Sequence, residues 1–180
     1  MVIILGIDPG TATTGYGIIK KIKKTPGKKT QKNTVGFECV KHGVIKTSTE
    51  HHAAVRLSQI YKEINKIIKE HQPTIVVIES LFFFKNLKTA LPVSQARGVI
   101  LMAVDRKNLP IFEFTPLQVK MIITGYGRAD KKDVQKTIKN LLALKEIPRP
   151  DDAADALGIA VCYVLNHAGG KKSKRGIDRK

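Results

Sequence analysis

Two acidic side chains end two runs of apolar residues, and this placement favours a metal site. Asp8 follows the apolar run 2–7, and Glu79 follows the run 75–78. Continuous apolar runs of this length are typical of buried strands, and open α/β sheets bind ligands at the carboxyl ends of their strands. If the two strands are neighbours, the carboxylates lie side by side, and a cation is needed to offset their mutual repulsion and their apolar surroundings.

A further group of acids, at 151, 152 and 155, begins an apolar segment that is typical of a helix. Asp152 and Asp155 are three residues apart, so their side chains project from one helix face. With Asp8 and Glu79 they form a set of four oxygen ligands, the kind that Mg²⁺ binds while it retains water molecules. Each acid also has a structural alternative, such as a turn at Asp8, an ion pair at Glu79 or a helix cap at 151–152.

The apolar pattern predicts an α/β domain with a mixed sheet that positions these acids. Strands are predicted at 2–7, 15–20, 34–46, 75–78 and 111–114. Five helices are predicted. The first lies between a capping-box spacing at 47–50 and Pro73, and the second covers about 90–106. The third runs from Pro116 to Gly125, the fourth begins at Asp130, and the last runs from 151 or 152 to Gly169.

Positive charge is concentrated in two segments. The 180 residues include 32 Lys and Arg against 15 Asp and Glu, a formal net charge of +17. Residues 20–33 carry seven lysines and no acid, and residues 171–180 carry a net charge of +5, so these 24 residues hold 12 of the 17 charges. We therefore predict a domain at 1–168 with a lysine-rich hairpin loop at 20–33, and a flexible basic tail at 169–180. Each basic segment is either a solvated surface or a contact to phosphate backbones.

The composition disfavours membrane and secreted proteins. No apolar run approaches the roughly 18–20 residues that span a bilayer. The apolar run at 2–7 is too short for a signal peptide. Cys39 and Cys162, with no CxxC pair, indicate neither a disulfide scaffold nor a structural zinc. These features predict a reduced, cytoplasmic protein without a membrane partner.

Four stretches of the chain, in order and at matching spacing, resemble the RuvC family of crossover junction endodeoxyribonucleases, the Holliday junction resolvases of the ribonuclease H-like superfamily. They are residues 4–10 with 14–17, residues 78–79 with Phe82 and 85–86, residues 95–99, and residues 152–157. The resemblance implies a ribonuclease H-like fold, with a mixed five-stranded sheet flanked by helices. It also implies a metal-dependent endonuclease of recombination and repair, which cuts four-way DNA junctions in two strands of like polarity.

The resemblance further implies cofactors, partners and site residues. Two Mg²⁺ ions per subunit, with Mn²⁺ as the alternative, would bind Asp8, Glu79, Asp152 and Asp155, and the enzyme would be a homodimer that works with a branch-migration motor complex. Phe82 would meet unpaired bases at the junction centre, and Lys120 and Lys131 would face the scissile phosphate, with Lys131 taking part in catalysis.

Several assignments have alternatives in the residues themselves. Asp151 is the alternative metal ligand to Asp152, and Lys131 has the alternative of a solvated lysine. Arg97 contacts DNA phosphate or forms a partly buried ion pair. Of the three rings at 82–84 we expect at least one in the core and one exposed beside the basic cleft.

Three rival functions are also compatible with parts of this pattern. One is a nuclease of the same superfold that acts on structured RNA, like the YqgF-like proteins, and another is a non-catalytic module that binds structured nucleic acid. The run 8–11 also resembles the phosphate loop of actin-like nucleotide-binding domains, but 180 residues are too few for their two lobes.

Overall fold

The computed structural model describes residues 1–22, 36–80 and 87–168, together with ten elements of secondary structure. The strands are β1 (Ile3–Asp8), β2 (Thr13–Lys21), β3 (Phe37–Lys46), β4 (Ile75–Glu79) and β5 (Ile111–Phe114). The helices are α1 (Ala53–His71), α2 (Leu87–Asp105), α3 (Pro116–Thr124), α4 (Lys131–Leu141) and α5 (Asp151–Ala168). In this part of the chain no helix has the length and apolar character needed to cross a membrane.

The strands form one mixed sheet in the order β3-β2-β1-β4-β5, which confirms the predicted α/β class. β1, β2 and β3 pair antiparallel as a meander, whereas β4 pairs parallel to β1, and β5 pairs parallel to β4. Because β3, β1, β4 and β5 all run in one direction, their carboxyl ends lie along the same edge of the sheet. This edge, called the catalytic edge below, is where β1 ends at Asp8 and β4 ends at Glu79.

Helices cover both faces of the sheet. On one face, Ile60 and Ile64 of α1 and Ile100 of α2 pack on alternate side chains of β1, β2 and β4. On the other face, Leu157 and Val161 of α5 pack on the remaining strand residues, and α3 and α4 complete that layer. Burying each such aliphatic side chain favours folding by about 1.5–3 kcal/mol before entropy is counted. The central strands β1 and β4 are thus apolar on both faces, as their unbroken apolar runs predicted.

The start of α1 differs from the capping box predicted at 47–50. The helix begins at Ala53, and its N-cap is His52, whose Nδ1 accepts a hydrogen bond from the backbone N of Ala54. Thr47 cannot act as the cap because its hydroxyl donates to the carbonyl oxygen of Thr11, at 2.6 Å. The capping-box prediction was wrong because a tertiary contact engages the threonine.

The other helix boundaries agree with the sequence to within a few residues. Thr115 forms a capping box with Gln118 at the start of α3, and Asp130 caps α4 by accepting from the backbone N of Asp133. α2 begins at Leu87, slightly before the predicted position. Lys20 and Lys21 of the predicted lysine-rich loop belong to β2. The rest of that loop, apart from Ile22, lies outside the described residues, as do the tail at 169–180 and the rings at 82–84.

Candidate active site

The structure brings Asp8 and Glu79 together at the catalytic edge. They end β1 and β4, which are neighbouring parallel strands with Ile7 opposite Ile78. The side chains of Asp8 and Glu79 are in hydrogen-bonding contact, and both are largely removed from water. The predicted juxtaposition of these two carboxylates is therefore confirmed.

Glycines in the sheet bring the acids of α5 to the same edge. Gly15 lies opposite Asp8 in the pairing of β1 with β2, and a Cβ at Gly15 would overlap the carbonyl oxygen of Asp152. A Cβ at Gly6 would likewise overlap the carbonyl oxygen of Ala156. The absence of these two side chains lets the backbone of α5 lie directly on the sheet, so the first turns of α5 approach Asp8.

The carboxylates share a strongly unfavourable electrostatic environment. Burial, followed by the negative charges of Glu79, Asp155 and Asp152, raises the pKa of Asp8 to about 8. Burial also raises the pKa of Glu79 and that of Asp155 above their ordinary values. Isolated carboxylates have pKa values near 4, so a protein that keeps these groups near neutral pH needs protons or cations among them.

Lys131 supplies part of the compensating charge. Its Nζ lies 2.9 Å from Oδ2 of Asp155 and 3.4 Å from Oδ2 of Asp151. Burial alone would lower the pKa of Lys131, but the contacts with Asp155 and Asp151 outweigh it and raise this pKa. Lys131 is the first residue of α4, so the Asp130 cap fixes its backbone at the site. The structure thus places Lys131 beside the carboxylates, as an ion-paired rather than a solvated lysine.

Asp151 and Asp152 occupy different surroundings, which separates the two candidates for the metal-binding acid. Asp151 is exposed, and its Oδ1 accepts a hydrogen bond of 3.1 Å from the buried side chain of Gln135. This bond, followed by the charge of Lys131, lowers the pKa of Asp151. Asp152 instead lies over Gly15, where its charge acts on Asp8. Nothing in the sequence indicates that Gln135 bonds Asp151, except that a polar residue lies next to the apolar stripe of α4.

Replacing these two acids one at a time is expected to give unequal losses. Asp152→Asn should slow metal-dependent DNA cleavage by roughly 10²-fold or more, because it removes a charge beside Asp8. Asp151→Asn should stay within about fivefold of the wild type, since an exposed ion pair is worth no more than about 1 kcal/mol. Single-turnover cleavage rates measure both changes, and a larger loss for Asp151→Asn would reverse the assignment.

The acids open onto a cleft of about 220 Å³. Glu79, Asp155, Lys120 and Lys131 line it, together with apolar residues such as Val119, Val134 and Ile159. Lys120 reaches this cleft from α3, which follows β5 and begins at the catalytic edge. The structure therefore brings both predicted lysines to the predicted carboxylates, and gives the cleft an apolar wall that strengthens the electrostatic interactions inside it.

Arg97 does not line this cleft, and the structure leaves the position of Phe82 undescribed. Arg97 forms an ion pair with Glu113 of β5, which is the structural alternative that the sequence left open. Nε of Arg97 is buried and has no hydrogen-bond partner among the described residues. Phe82 lies outside the described residues, so its contact with DNA bases stays a prediction.

The donor set suits a divalent cation. Carboxylates from β1, β4 and α5 interact electrostatically, and burial, followed by the negative charge of neighbouring acids, raises the pKa values of Asp8, Glu79 and Asp155. Among residues 1–22, 36–80 and 87–168, no three His, Cys, Asp or Glu side chains already stand as a closed ligand group. Asp8, Glu79, Asp152 and Asp155 are the groups that would hold the ion.

The raised pKa of Asp8 predicts that the metal-free protein loses stability as pH rises. Asp8 ionises at about 3.8 when unfolded and at about 8 when folded, so between these values the folded state binds more protons. Each unit of this difference costs about 1.4 kcal/mol, or roughly 3–5 °C in Tm, once the pH exceeds both values.

Thermal denaturation in EDTA between about pH 5 and about pH 9 measures this loss. The Tm of the wild type should fall with rising pH, and that of Asp8→Asn should fall less. Mg²⁺ should restore the Tm of the wild type at high pH. Equal slopes for the two proteins would contradict the assigned pKa.

Comparison with known sequences supports what the geometry indicates. The sequence model of the RuvC family, described as crossover junction endodeoxyribonuclease RuvC, matches residues 4–163. The chain belongs to the RuvC family. A RuvC from Caldicellulosiruptor saccharolyticus is 50% identical over 163 residues, which are 91% of this chain and 92% of the relative. A RuvC from Thermosipho melanesiensis is 52% identical over 162 residues, 90% of this chain and 96% of the relative.

RuvC structures also share the fold. The structure of Thermus thermophilus RuvC in complex with a Holliday junction substrate has a TM-score of 0.83 and 29% sequence identity, covering 94% of this chain and 97% of that chain. The predicted ribonuclease H-like fold and the predicted RuvC resemblance are therefore both confirmed. The four carboxylates of this chain fall within the matched residues 4–163.

Proposed function

We propose that this protein is a metal-dependent endonuclease that resolves four-way DNA junctions by hydrolysing phosphodiesters in two strands of like polarity, in recombination and repair. The observation that carries the proposal is the group of adjacent, half-buried carboxylates at the catalytic edge, beside Lys131 and Lys120. Membership of the RuvC family supports the same substrate. Carboxylates on separate rigid elements are suited to hold metal ions for phosphodiester hydrolysis.

The proposed cofactor is Mg²⁺, two ions per subunit, with Mn²⁺ as a substitute. Oxygen ligands and retained water molecules are what Mg²⁺ favours, and the donor set here consists of carboxylates. A bound pair of divalent ions would supply charge that activates a water molecule and stabilises the leaving oxygen. Burial and the neighbouring acids raise the pKa of Asp8 to about 8, and we assign it, with Glu79, Asp152 and Asp155, to hold the ions.

The lysines of the cleft act on the phosphate. Lys131 is charged at neutral pH and sits at the mouth of the carboxylate group, where its ammonium can offset negative charge that develops on the phosphate. Lys120 lines the same cleft from α3 and can contact a neighbouring backbone oxygen. The apolar wall of Val119 and Ile159 limits the water that screens these charges.

The proposed function is tested with end-labelled substrates in Mg²⁺. A four-way junction should be nicked at symmetric sites in two strands, while linear duplex and hairpin RNA of the same sequence should stay intact. Omission of Mg²⁺ should leave binding and remove cleavage. Preferred cutting of the RNA would favour the YqgF-like alternative, and binding without any cutting would favour a non-catalytic module.

The homodimer is part of the proposal, and α2 offers a surface for it. The helix buries Ala96 and Ile100 against α1 and the sheet, yet Leu91, Gly98 and Met102 lie on its outer face. Leu91 is 68% exposed and Met102 is 49% exposed. A Cβ at Gly98 would meet nothing within 4 Å, so a second helix can approach closely there. A helix that is apolar on both sides is typical of one buried on both sides.

The exposed face of α2 is expected to pair with the same face of a second copy. A two-fold dimer places identical patches together, and a junction cut in two strands needs two active sites related in this way. Met102→Glu should weaken dimerisation by roughly tenfold or more, because it buries a charge in the contact.

Analytical ultracentrifugation of Met102→Glu and of Met121→Glu measures this effect. Met121 on α3 is 51% exposed and provides a matched control, which should remain dimeric. Circular dichroism checks that both variants are folded. If Met102→Glu is as dimeric as the control, the interface lies on another surface.

Further assignments are proposals, of which the roles of Phe82 and of a motor complex rest on the resemblance, and the role of the tail and the location rest on charge and composition. Phe82 would stack on unpaired bases at the junction centre, where such a contact is worth about 1–3 kcal/mol. The domain at 1–168 would act with the basic tail at 169–180 in binding DNA. We also propose that the protein is cytoplasmic and that a branch-migration motor docks on it.

A further inference from the structure

A second polar cluster lies at the catalytic edge and is not explained by the carboxylates. Nε of Arg56 donates to the hydroxyl of Thr47 at 2.9 Å, and this hydroxyl donates to the carbonyl oxygen of Thr11 at 2.6 Å. The backbone N of Thr47 also donates to the carbonyl oxygen of Ala12 at 3.0 Å. The hydroxyl of Thr14 donates to the carbonyl oxygen of Gly10 at 2.6 Å. Arg56 is thereby tied to the loop that follows Asp8.

The topology places this cluster beside the active site. β3 runs parallel to β1, so it ends at the catalytic edge, where Lys46 pairs with Thr13. α1 then begins at Ala53, and Arg56 is in its first turn. Thr11 is three residues beyond Asp8, so Arg56 is connected through Thr47 to the loop that leaves the metal-binding strand.

The guanidinium of Arg56 has unused hydrogen-bonding capacity. Among the residues that the structure describes, Arg56 has no acidic partner, whereas Arg97 is paired with Glu113. Within residues 1–22, 36–80 and 87–168, the one hydrogen bond of this guanidinium is that of Nε to Thr47, so both terminal nitrogens are available to a ligand there. A half-buried arginine held at Nε by its own protein presents a planar pair of donors, an arrangement that matches the oxygens of a phosphate.

A buried hydroxyl in the same cluster also lacks a hydrogen-bond partner among the described residues. Oγ1 of Thr11 is buried and has no hydrogen-bond partner in the part of the chain that the structure describes, although buried hydroxyls are nearly always bonded. Thr11 is the residue whose carbonyl oxygen anchors Thr47, so the orphan hydroxyl and Arg56 belong to one cluster. An anion at this position would accept from both.

We propose that Arg56, positioned by Thr47, binds a backbone phosphate of the DNA strand that crosses the loop after Asp8. The contact holds the strand next to the phosphate to be cut, and Thr11 adds a neutral donor to the same site. This inference deepens the proposed function and rests on it. Thr47 acts through Arg56 and is a positioning residue.

The test compares Arg56→Gln with Arg106→Gln in binding a four-way junction. Arg106 follows α2 at the opposite edge of the sheet and is exposed, so its replacement removes the same charge at a distance from the site. Dissociation constants are measured in EDTA, which prevents cleavage, over a series of salt concentrations. Arg56→Gln should reduce the slope of log K against log salt by about 0.9, the value for one phosphate contact. Arg106→Gln should leave the slope unchanged.

Affinity and cleavage separate a phosphate contact from a structural role. Arg56→Gln should bind the junction roughly tenfold more weakly than the wild type, as for loss of one charge-assisted contact. A lower Tm with an unchanged salt slope would overturn the inference, because Arg56 would then only brace the loop. If Arg56→Gln does not fold, Arg56→Lys keeps the charge but loses the planar donors. Wild-type affinity and cleavage in Arg56→Lys would also overturn it.

Failure of this inference is distinguishable from failure of the proposed function. If the wild type neither prefers the junction over duplex nor cuts it, the proposed function fails. If the wild type binds and cuts the junction while both arginine variants keep its salt slope, only the role of Arg56 fails.

Discussion

Asp8→Asn is expected to abolish junction cleavage while junction binding is kept. The substitution preserves the shape of the side chain and removes one negative charge from the centre of the carboxylate group. Loss of a metal-binding carboxylate should slow cleavage by at least about 10³-fold, equivalent to about 4 kcal/mol of transition-state stabilisation. Metal-free binding near neutral pH should equal that of the wild type, because Asp8, with a pKa of about 8, is then largely uncharged. Above about pH 8 the variant should bind more tightly than the wild type, because it lacks a carboxylate that repels DNA phosphates.

Single-turnover cleavage and metal-free binding measure these two effects separately. Asp133→Asn is a suitable control, since Asp133 is exposed on α4 and lies outside the cleft. That variant should cleave like the wild type. Normal cleavage by Asp8→Asn, or loss of binding with the fold intact, would refute the assignment of Asp8.

Lys131→Gln is expected to slow the chemical step by roughly 10²–10³-fold, the usual effect of removing one donor that stabilises developing charge. Nζ of Lys131 lies 2.9 Å from Oδ2 of Asp155. We therefore expect this ammonium to act on both the carboxylate group and the approaching phosphate. The loss should appear in the cleavage rate at saturating DNA and Mg²⁺. The Mg²⁺ concentration for half-maximal rate should stay the same or fall, because Asp155 loses a competing cation.

The metal dependence distinguishes this role from a merely structural one. If Lys131 only held Asp155 in place, its loss would weaken metal binding, and excess Mg²⁺ would restore the rate. Lys132→Gln is the matched control, because Lys132 is the next residue of α4, is exposed and forms no ion pair among the described residues. It should cut junctions at the wild-type rate.

Local patterns in the sequence were enough to predict the sheet and two of its functional residues. An unbroken apolar run can only be a buried strand or helix, and runs as short as 2–7 and 75–78 fit strands. The acid that ends such a run must lie at a strand end, so Asp8 and Glu79 were predicted from position alone. The caps at Thr115 and Asp130 are equally local, since a capping side chain bonds backbone groups two or three residues away.

Contacts between residues distant in the chain decided what local patterns left open. Gly15 lets α5 rest on β2, and this contact directs Asp152 toward Asp8 while Asp151 faces Gln135. The pairing of Arg97 with Glu113, the engagement of Thr47 by Thr11 and the contact of Lys131 with Asp155 likewise join separate elements. Residue type and spacing predict which groups a segment offers, whereas their partners depend on how helices and strands pack, because that packing alone brings residues far apart in sequence within a few ångströms of one another.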